Sequence, residues 1–353
     1  MSKIKLGLIF GGTSTESDIS VCSASSILRE LDKEKYDLFP IYIGKNGKWY
    51  KYLEIKQLQL GEEIKNKEEI ENIFKYLESI DVIFPLLHGL NGEDGSVQGV
   101  LQLINKPYIG CGILASGLGL DKAYTKIIFE KAGFKQAKYE YIRKYKEKYF
   151  YVDKGLNQEL LDIEDILIKI KNNLKFPLFV KPSNSGSSIG ITKVIKEENL
   201  KSAIENASKF DSKILIEEGI EGKEVVCAVL GNEEIVASGV GEIKYLDDFY
   251  SFSSKYINPV DNVLKADISN ELTEKIRAQA IKAFKAIDGK GLSRIDFFID
   301  KKTNEIFINE INTMPGFTKS SWYAKLFKEY GISYSNLIDK LIDLALENHK
   351  KNY

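Results

Sequence analysis

Three oxygen-bearing side chains near the C-terminus, Asp296, Glu310 and Asn312, fall on two segments that alternate like strands, 291–299 and 305–312. Residues 300–304 (Asp-Lys-Lys-Thr-Asn) read as the turn between them. Period-two geometry puts Arg294 and Asp296 on one face of the first segment and Glu310 and Asn312 on one face of the second. Neither segment contains a histidine or a cysteine. An oxygen-only set suits a hard cation such as Mg²⁺, which commonly bridges to phosphate oxygens. Arg294 beside it can hold an anion. The pattern is a metal-and-phosphate site on a rigid hairpin, and nucleotide chemistry is the first hypothesis.

Other residues point the same way less sharply. The loop Ser183-Asn-Ser-Gly-Ser-Ser-Ile-Gly190 follows an apolar run that ends in Lys181. Glycine lets backbone N–H groups approach an anion and serine adds hydroxyl donors, although a mobile turn explains the same composition. The GxxxxGK[ST] order of a Walker loop is absent. Lys126 lies in a helical stretch, 121–134. Glu217 and Glu224 border apolar strands and could accept hydrogen bonds from an adenine amino group or ribose hydroxyls; charged strand ends are the plain alternative. Glu16, in the loop after the first strand, could bind an ammonium group or simply start a helix. His88 opens the loop after the third strand, where a lone histidine is usually structural. Glu93 and Asp94 could ligate a metal, but capping the helix near Ser96 is the favoured reading. Lys255-Tyr256 sits in an aromatic loop, 242–266, of the kind that closes over reactive intermediates. Pro315-Gly316 marks a sharp turn whose N–H groups and neighbouring hydroxyls could hold an oxyanion.

Residues 4–10, 36–43 and 81–87 read as strands. Helices follow the first strand (apolar Ile19, Cys22, Ile27 and Leu31 inward, Ser17 or Asp18 as N-cap) and occupy 61–79 and 97–104. Tyr108–Cys111 reads as a short strand. Alternating strands and helices predict a parallel sheet with its site in loops at the strands' carboxyl ends. Both the Glu16 and the His88 loops lie there. Gly11-Gly12 lacks the GxGxxG spacing, so a tight turn explains it as well as a dinucleotide site does.

The chain of 353 residues, with 50 basic and 51 acidic side chains, argues for two or three soluble domains and gives no reason to expect nucleic acid or membrane as a partner. Cys22, Cys111 and Cys227 have no metal spacing and read as buried thiols in a reducing compartment, so a cytoplasmic location is expected. Two histidines, His88 and His349, exclude a multi-histidine zinc site.

Taken in order, Gly11-Gly-Thr-Ser-Thr-Glu16, Leu87-His-Gly with Gly92-Glu-Asp-Gly-Ser-Val-Gln-Gly99, Val180-Lys-Pro-Ser-Asn-Ser-Gly-Ser-Ser-Ile-Gly190, Lys255-Tyr256, Arg294-Ile-Asp296 and Asn309-Glu-Ile-Asn-Thr-Met-Pro-Gly-Phe-Thr318 resemble the D-alanine–D-alanine ligases of the ATP-grasp superfamily. The resemblance spans nearly the whole chain. It implies an α/β protein: an ATP-grasp fold preceded by an N-terminal parallel-sheet, Rossmann-like domain. The expected divisions are 1–120 (substrate binding), 121–212 (phosphate loop) and 213–353 (metal site and lid loop). It further implies ATP as substrate and two Mg²⁺ ions, with Mn²⁺ an alternative, held by Asp296 and Glu310 and by Glu310 and Asn312. Lys126 and Lys181 match ATP-phosphate lysines, Ser187 and Ser188 lie in the loop closing on the γ-phosphate, and Glu217 and Glu224 match adenine and ribose contacts. Glu16, near His88, matches the group that binds the first D-alanine's ammonium. Arg294 and the Gly316 backbone match the oxyanion donors, and Ser321 the holder of the second carboxylate. Lys255 matches a phosphate contact, and Tyr256 a residue bonding toward Ser187 and Glu16. The implied activity is D-alanyl-D-alanine synthesis through an acyl phosphate for peptidoglycan, and the family is often homodimeric. Trp322, where a leucine is common, keeps D-alanyl-D-serine synthesis or another carboxylate–amine ligation as alternatives. A non-catalytic nucleotide-binding regulator is the rival from another class.

Overall fold

The computed structural model describes residues 2–54, 61, 64–244 and 263–352; Lys255 and Tyr256 lie outside them. β1 (Ile4–Gly11) buries its last six residues and pairs in parallel with β2 (Tyr36–Ile43) on one side and β5 (Val82–Pro85) on the other. The expected parallel sheet is thus present, but β3 (Trp49–Tyr52) and β4 (Lys67–Glu69) extend it antiparallel. β4 lies inside the stretch 61–79 read as one helix, leaving only α2 (Ile73–Glu78) helical among the described residues there. The charges that suggested a solvated helix instead make ion pairs at the sheet edge, Lys48–Glu69 at 2.9 Å and Lys51–Glu68 at 3.0 Å. Tyr108 makes only an isolated bridge to Ile83, not a strand.

Gly11-Gly12 forms the tight turn out of β1, with the Gly12 N–H bonded to Ile43 O at 2.8 Å. The helix that follows, α1 (Ser17–Glu30), has Glu16 as its N-cap residue rather than Ser17 or Asp18, and no side chain caps it. The helix after the His88 loop is α3 (Ser96–Leu103); α4 (Ile113–Leu120), absent from the sequence reading, carries no charged residue to mark its faces.

Two antiparallel sheets complete the molecule. The six-stranded one contains β6 (Tyr139–Tyr145), β7 (Lys148–Val152), β8 (Gln158–Leu161), β9 (Leu178–Pro182), β10 (Thr192–Val194) and β11 (Lys213–Glu218), in the order β10-β9-β11-β6-β7-β8. The expected division at 212 therefore falls just before a strand that lies inside this sheet. The four-stranded sheet has the order β13 (Val236–Ile243), β12 (Gly222–Gly231), β14 (Gly291–Asp300), β15 (Ile306–Asn312). The N-terminal sheet does not keep its core to itself. Leu6, Leu8 and Phe10 share one buried cluster with Phe317, Tyr323, Phe327 and Leu341, and the Phe84 and Phe317 rings meet edge-on at 5.4 Å. Each such side chain contributes roughly 1.5–3 kcal/mol on burial. This apolar contact holds the first 90 residues against the C-terminal helices and fixes their loops over the third sheet.

Candidate active site

A cavity of about 660 Å³ opens where the three sheets meet. That is the size of a small-molecule site. The hairpin β14–β15 forms one wall. Its register makes Arg294 the Cα partner of Asn312 and Asp296 the partner of Glu310, so the four side chains share a face as the alternation predicts. An irregularity follows directly: Phe297 pairs with Ile308, leaving Asn309 as the extra residue on β15. Arg294, Glu310 and Asn312 line the cavity, whereas Asp296 is buried behind Arg294. The guanidinium grips both Asp296 oxygens, Nε at 2.7 Å and Nη2 at 2.6 Å, a bidentate pair. Asn312 Nδ2 lies 3.5 Å from Glu310 Oε1. Among the described residues no group of three His, Cys, Asp or Glu side chains is gathered for a metal. The donor chemistry nevertheless fits Mg²⁺, which takes one or two carboxylates and substrate phosphate for the rest: Glu310 and Asn312 face the cavity with a carboxylate and an amide oxygen, and Asp296 would join them by giving up an Arg294 contact.

Opposite stands a buried charge triad that the sequence did not announce. Glu217 on β11 receives Lys181 of β9 on one oxygen, while Lys126 Nζ of α5 (Lys122–Lys131) lies 2.8 Å from the other. The second contact is an ion pair by distance without hydrogen-bond alignment. Side-chain exposure is 4% for Lys126, 5% for Glu217 and 12% for Lys181, so water screens little of this. Burial alone would raise the Glu217 pKa; the two ammonium groups outweigh it and hold the carboxyl at about 2. Burial likewise opposes charge on Lys181, and Glu217 overrides it to leave that lysine raised. Glu224 lines the same end of the cavity, with Phe179, Ile220 and Phe298 as an apolar slot that the sequence reading did not pick out.

The serine loop lies between these walls. Its start is anchored by Asp121, whose carboxylate accepts the Ser183 hydroxyl at 2.6 Å and pairs with Lys213, and by the Lys122 ammonium, which donates to Ser185 O at 2.5 Å. Ser187 and Ser188 adopt φ of 50° and 61°, the left-handed region, at a cost of order 1 kcal/mol each. Such strain gathers where a loop is shaped for a ligand. The Ser187 hydroxyl donates to Glu16 Oε1, joining this loop to the N-terminal domain. Glu16 is 8% exposed, and although its backbone starts α1 its carboxylate caps no N–H of that helix, so the side chain is neither a solvated charge nor a helix cap. Its carboxylate lies between two backbones. A Cβ at Gly89 would come within 2.6 Å of Oε2 and one at Gly186 within 2.4 Å, so glycine at both positions permits the approach.

The last wall is the turn 313–318. Met314 O lies 3.0 Å from His88 Nδ1. A carbonyl only accepts, so Nδ1 carries the proton, and Nε2 faces Ser23 Oγ at 3.4 Å. Burial lowers the His88 pKa, only partly offset by Glu16, which keeps the ring neutral at neutral pH. Phe317 N–H donates to Ser23 Oγ at 3.2 Å and Thr318 N–H to Ser321 Oγ at 3.0 Å. Pro315 has no N–H. Within 314–318, the Gly316 N–H is then the one donor with no hydrogen-bond partner among the described residues, and Gly316 lines the cavity. Ser321 Oγ would lie 3.1 Å from a Cβ on Gly316, so hydroxyl and free N–H are neighbours. Trp322 turns its ring into the core against Gly241 while lining the cavity edge. Glu93 is neither metal ligand nor cap: its oxygens accept Gly89 N–H at 2.8 Å and Met314 N–H at 3.1 Å. Asp94 takes the local role, accepting Ser96 N–H at 2.9 Å. Burial and the Glu16 charge push the Glu93 carboxyl up to about 8.

The site thus joins a buried lysine pair, a hairpin of oxygen donors, a buried carboxylate and a backbone N–H without a partner among the described residues. Comparison with known proteins gives the same picture over the whole length. Residues 5–111 match the family model described as D-ala D-ala ligase N-terminus and residues 128–343 the one described as D-ala D-ala ligase C-terminus. A D-alanine–D-alanine ligase of Acetivibrio thermocellus is 45% identical, covering 99% of this chain and 98% of its own. The VanG D-Ala:D-Ser ligase of Enterococcus faecalis superposes with a TM-score of 0.83 at 35% identity, over 98% of this chain and all of the other. A Bacillus anthracis D-alanine–D-alanine ligase complexed with ATP gives 0.75 at 26% identity, covering 99% of this chain and 100% of its own. The chain belongs to the D-alanine–D-alanine ligase family.

Proposed function

We propose that this protein joins two D-alanines to D-alanyl-D-alanine at the expense of ATP, supplying a peptidoglycan precursor. The observation that carries the reading is the convergence of Glu16, the Lys126–Glu217–Lys181 triad and the Arg294–Asp296–Glu310–Asn312 hairpin on one cavity, within a chain of this family. ATP lies with its adenine in the Phe179–Ile220–Phe298 slot, its amino group and ribose toward Glu217 and Glu224. Lys126 and Lys181 face the phosphates, and the Ser187–Ser188 backbone closes over the γ-phosphate. Mg²⁺ on Asp296, Glu310 and Asn312 would neutralise charge on the β- and γ-phosphates.

Glu16 binds the ammonium of the first D-alanine, which turns its carboxylate to the γ-phosphate. Phosphoryl transfer gives the acyl phosphate and ADP. The amine of the second D-alanine, its carboxylate held by Ser321, then attacks the acyl carbon. Arg294 and the Gly316 N–H stabilise the oxyanion, and phosphate leaves. Three functional regions close to 1–120, 121–212 and 213–353 belong to this reading, with β11 lent to the central sheet. A cytoplasmic, homodimeric enzyme is part of it too; no described helix is long and apolar enough to cross a membrane. D-Serine as acceptor is the second reading, favoured by the similarity to a D-Ala:D-Ser ligase structure.

Incubation with ATP, Mg²⁺ and a mixture of D-alanine, D-serine and D-lactate, with products read by mass spectrometry, tests this. D-Alanyl-D-alanine and stoichiometric phosphate are expected. Nucleotide binding without amino-acid-dependent turnover refutes the proposal.

A further inference from the structure

Glu93 holds together two parts of the cavity that lie far apart in the chain. One oxygen accepts the N–H of Gly89, whose backbone forms the bed against which the Glu16 carboxylate rests. The other accepts the N–H of Met314, 221 residues away, two positions before Gly316. Met314 is held from both sides, because His88 bonds its carbonyl. Proline at 315 and its fixed φ pass that constraint directly to Gly316. The separation between the ammonium holder and the oxyanion donor is therefore set through one carboxyl group, which needs no contact of its own to either reacting group.

We propose that Glu93 is a positioning residue that fixes the distance between the ammonium site at Glu16 and the oxyanion donor at Gly316, and so matches the cavity to an α-amino acid as acyl donor. The inference rests on the ligase reading above. In an α-amino acid one carbon separates the ammonium-bearing nitrogen from the carboxyl carbon, and both ends must be gripped at once for phosphoryl transfer and oxyanion formation. A displacement of about 1 Å in such a placement costs on the order of a hundredfold in rate. An amide at this position retains a single acceptor oxygen and sets its NH₂ against one of the two backbone donors.

The test compares wild type with Glu93→Gln and Glu93→Asp. Steady-state kinetics are measured separately for the first D-alanine and for ATP, with nucleotide affinity by titration and thermal unfolding run in parallel. The expected result is a loss of ten- to a hundredfold in kcat/KM for D-alanine in both variants. KM for ATP, nucleotide affinity and unfolding temperature stay close to wild type, and β-alanine is discriminated less well against D-alanine than by wild type. Unchanged D-alanine kinetics in a folded variant overturn the proposal, as does a loss shared equally by the ATP and D-alanine parameters. A variant that unfolds makes the role structural and overturns it likewise. Wild type that binds ATP yet forms no dipeptide overturns the ligase reading instead.

Discussion

Replacing Glu217 by glutamine leaves Lys126 and Lys181 facing a neutral amide inside the protein. The magnitude follows from the carboxyl's pKa of about 2 in the folded state against an ordinary value of 4.5. At roughly 1.4 kcal/mol for each tenfold step in the proton equilibrium, the ionised group contributes about 3 kcal/mol at neutral pH. That agrees with the roughly 3–5 kcal/mol lost when one partner of a buried ion pair is removed. The sign sets the pH window. A folded pKa below the unfolded one gives stability that is complete above 4.5 and disappears as pH falls toward 2. At pH 3, about one unit above the folded value, less than half of it remains. Urea unfolding of wild type and Glu217→Gln, followed by circular dichroism at pH 7 and pH 3, reads the difference directly. The gap should shrink by more than half between the two conditions. A loss under about 1 kcal/mol at pH 7, or one that is the same at pH 3, refutes the account of the triad as a charge-stabilised unit.

Glu310→Gln should leave unfolding temperature near wild type, since the side chain lines the cavity, but abolish most turnover and weaken Mg²⁺-dependent nucleotide binding; near wild-type activity contradicts the metal assignment. Gly186→Ala places a methyl 2.4 Å from the Glu16 carboxylate, so Glu16 should be pushed aside and the KM for D-alanine raised about tenfold or more with little change in stability, checked by initial-rate kinetics. Arg294→Lys exchanges a bidentate grip on Asp296 for a single point charge; turnover should fall at least tenfold, and a retained rate would remove Arg294 from oxyanion stabilisation.

What could be read from residue order was local. Period-two alternation put Asp296, Glu310 and Asn312 on shared faces, because in a strand neighbouring side chains must point to opposite sides whatever surrounds them. The same holds for the glycine-serine loop after β9 and the tight turn at Gly11-Gly12. Charge-rich 61–79 misled, since helix-forming composition does not reveal that a sheet edge lies within reach. The uncharged α4 left no amphipathic stripe to read. Tertiary structure alone decided the rest. The Lys126–Glu217–Lys181 triad exists because β11, distant in sequence, runs beside β9. Glu93 meets Met314 only because the apolar contact of Leu6, Leu8 and Phe10 with the C-terminal helices presses the first domain's loops onto the last turn. A residue's type limits what it can donate or accept, but the partner that makes Glu93 a strut rather than a cap is supplied by a segment 221 positions away, brought close by burial of surface that carries no chemistry itself.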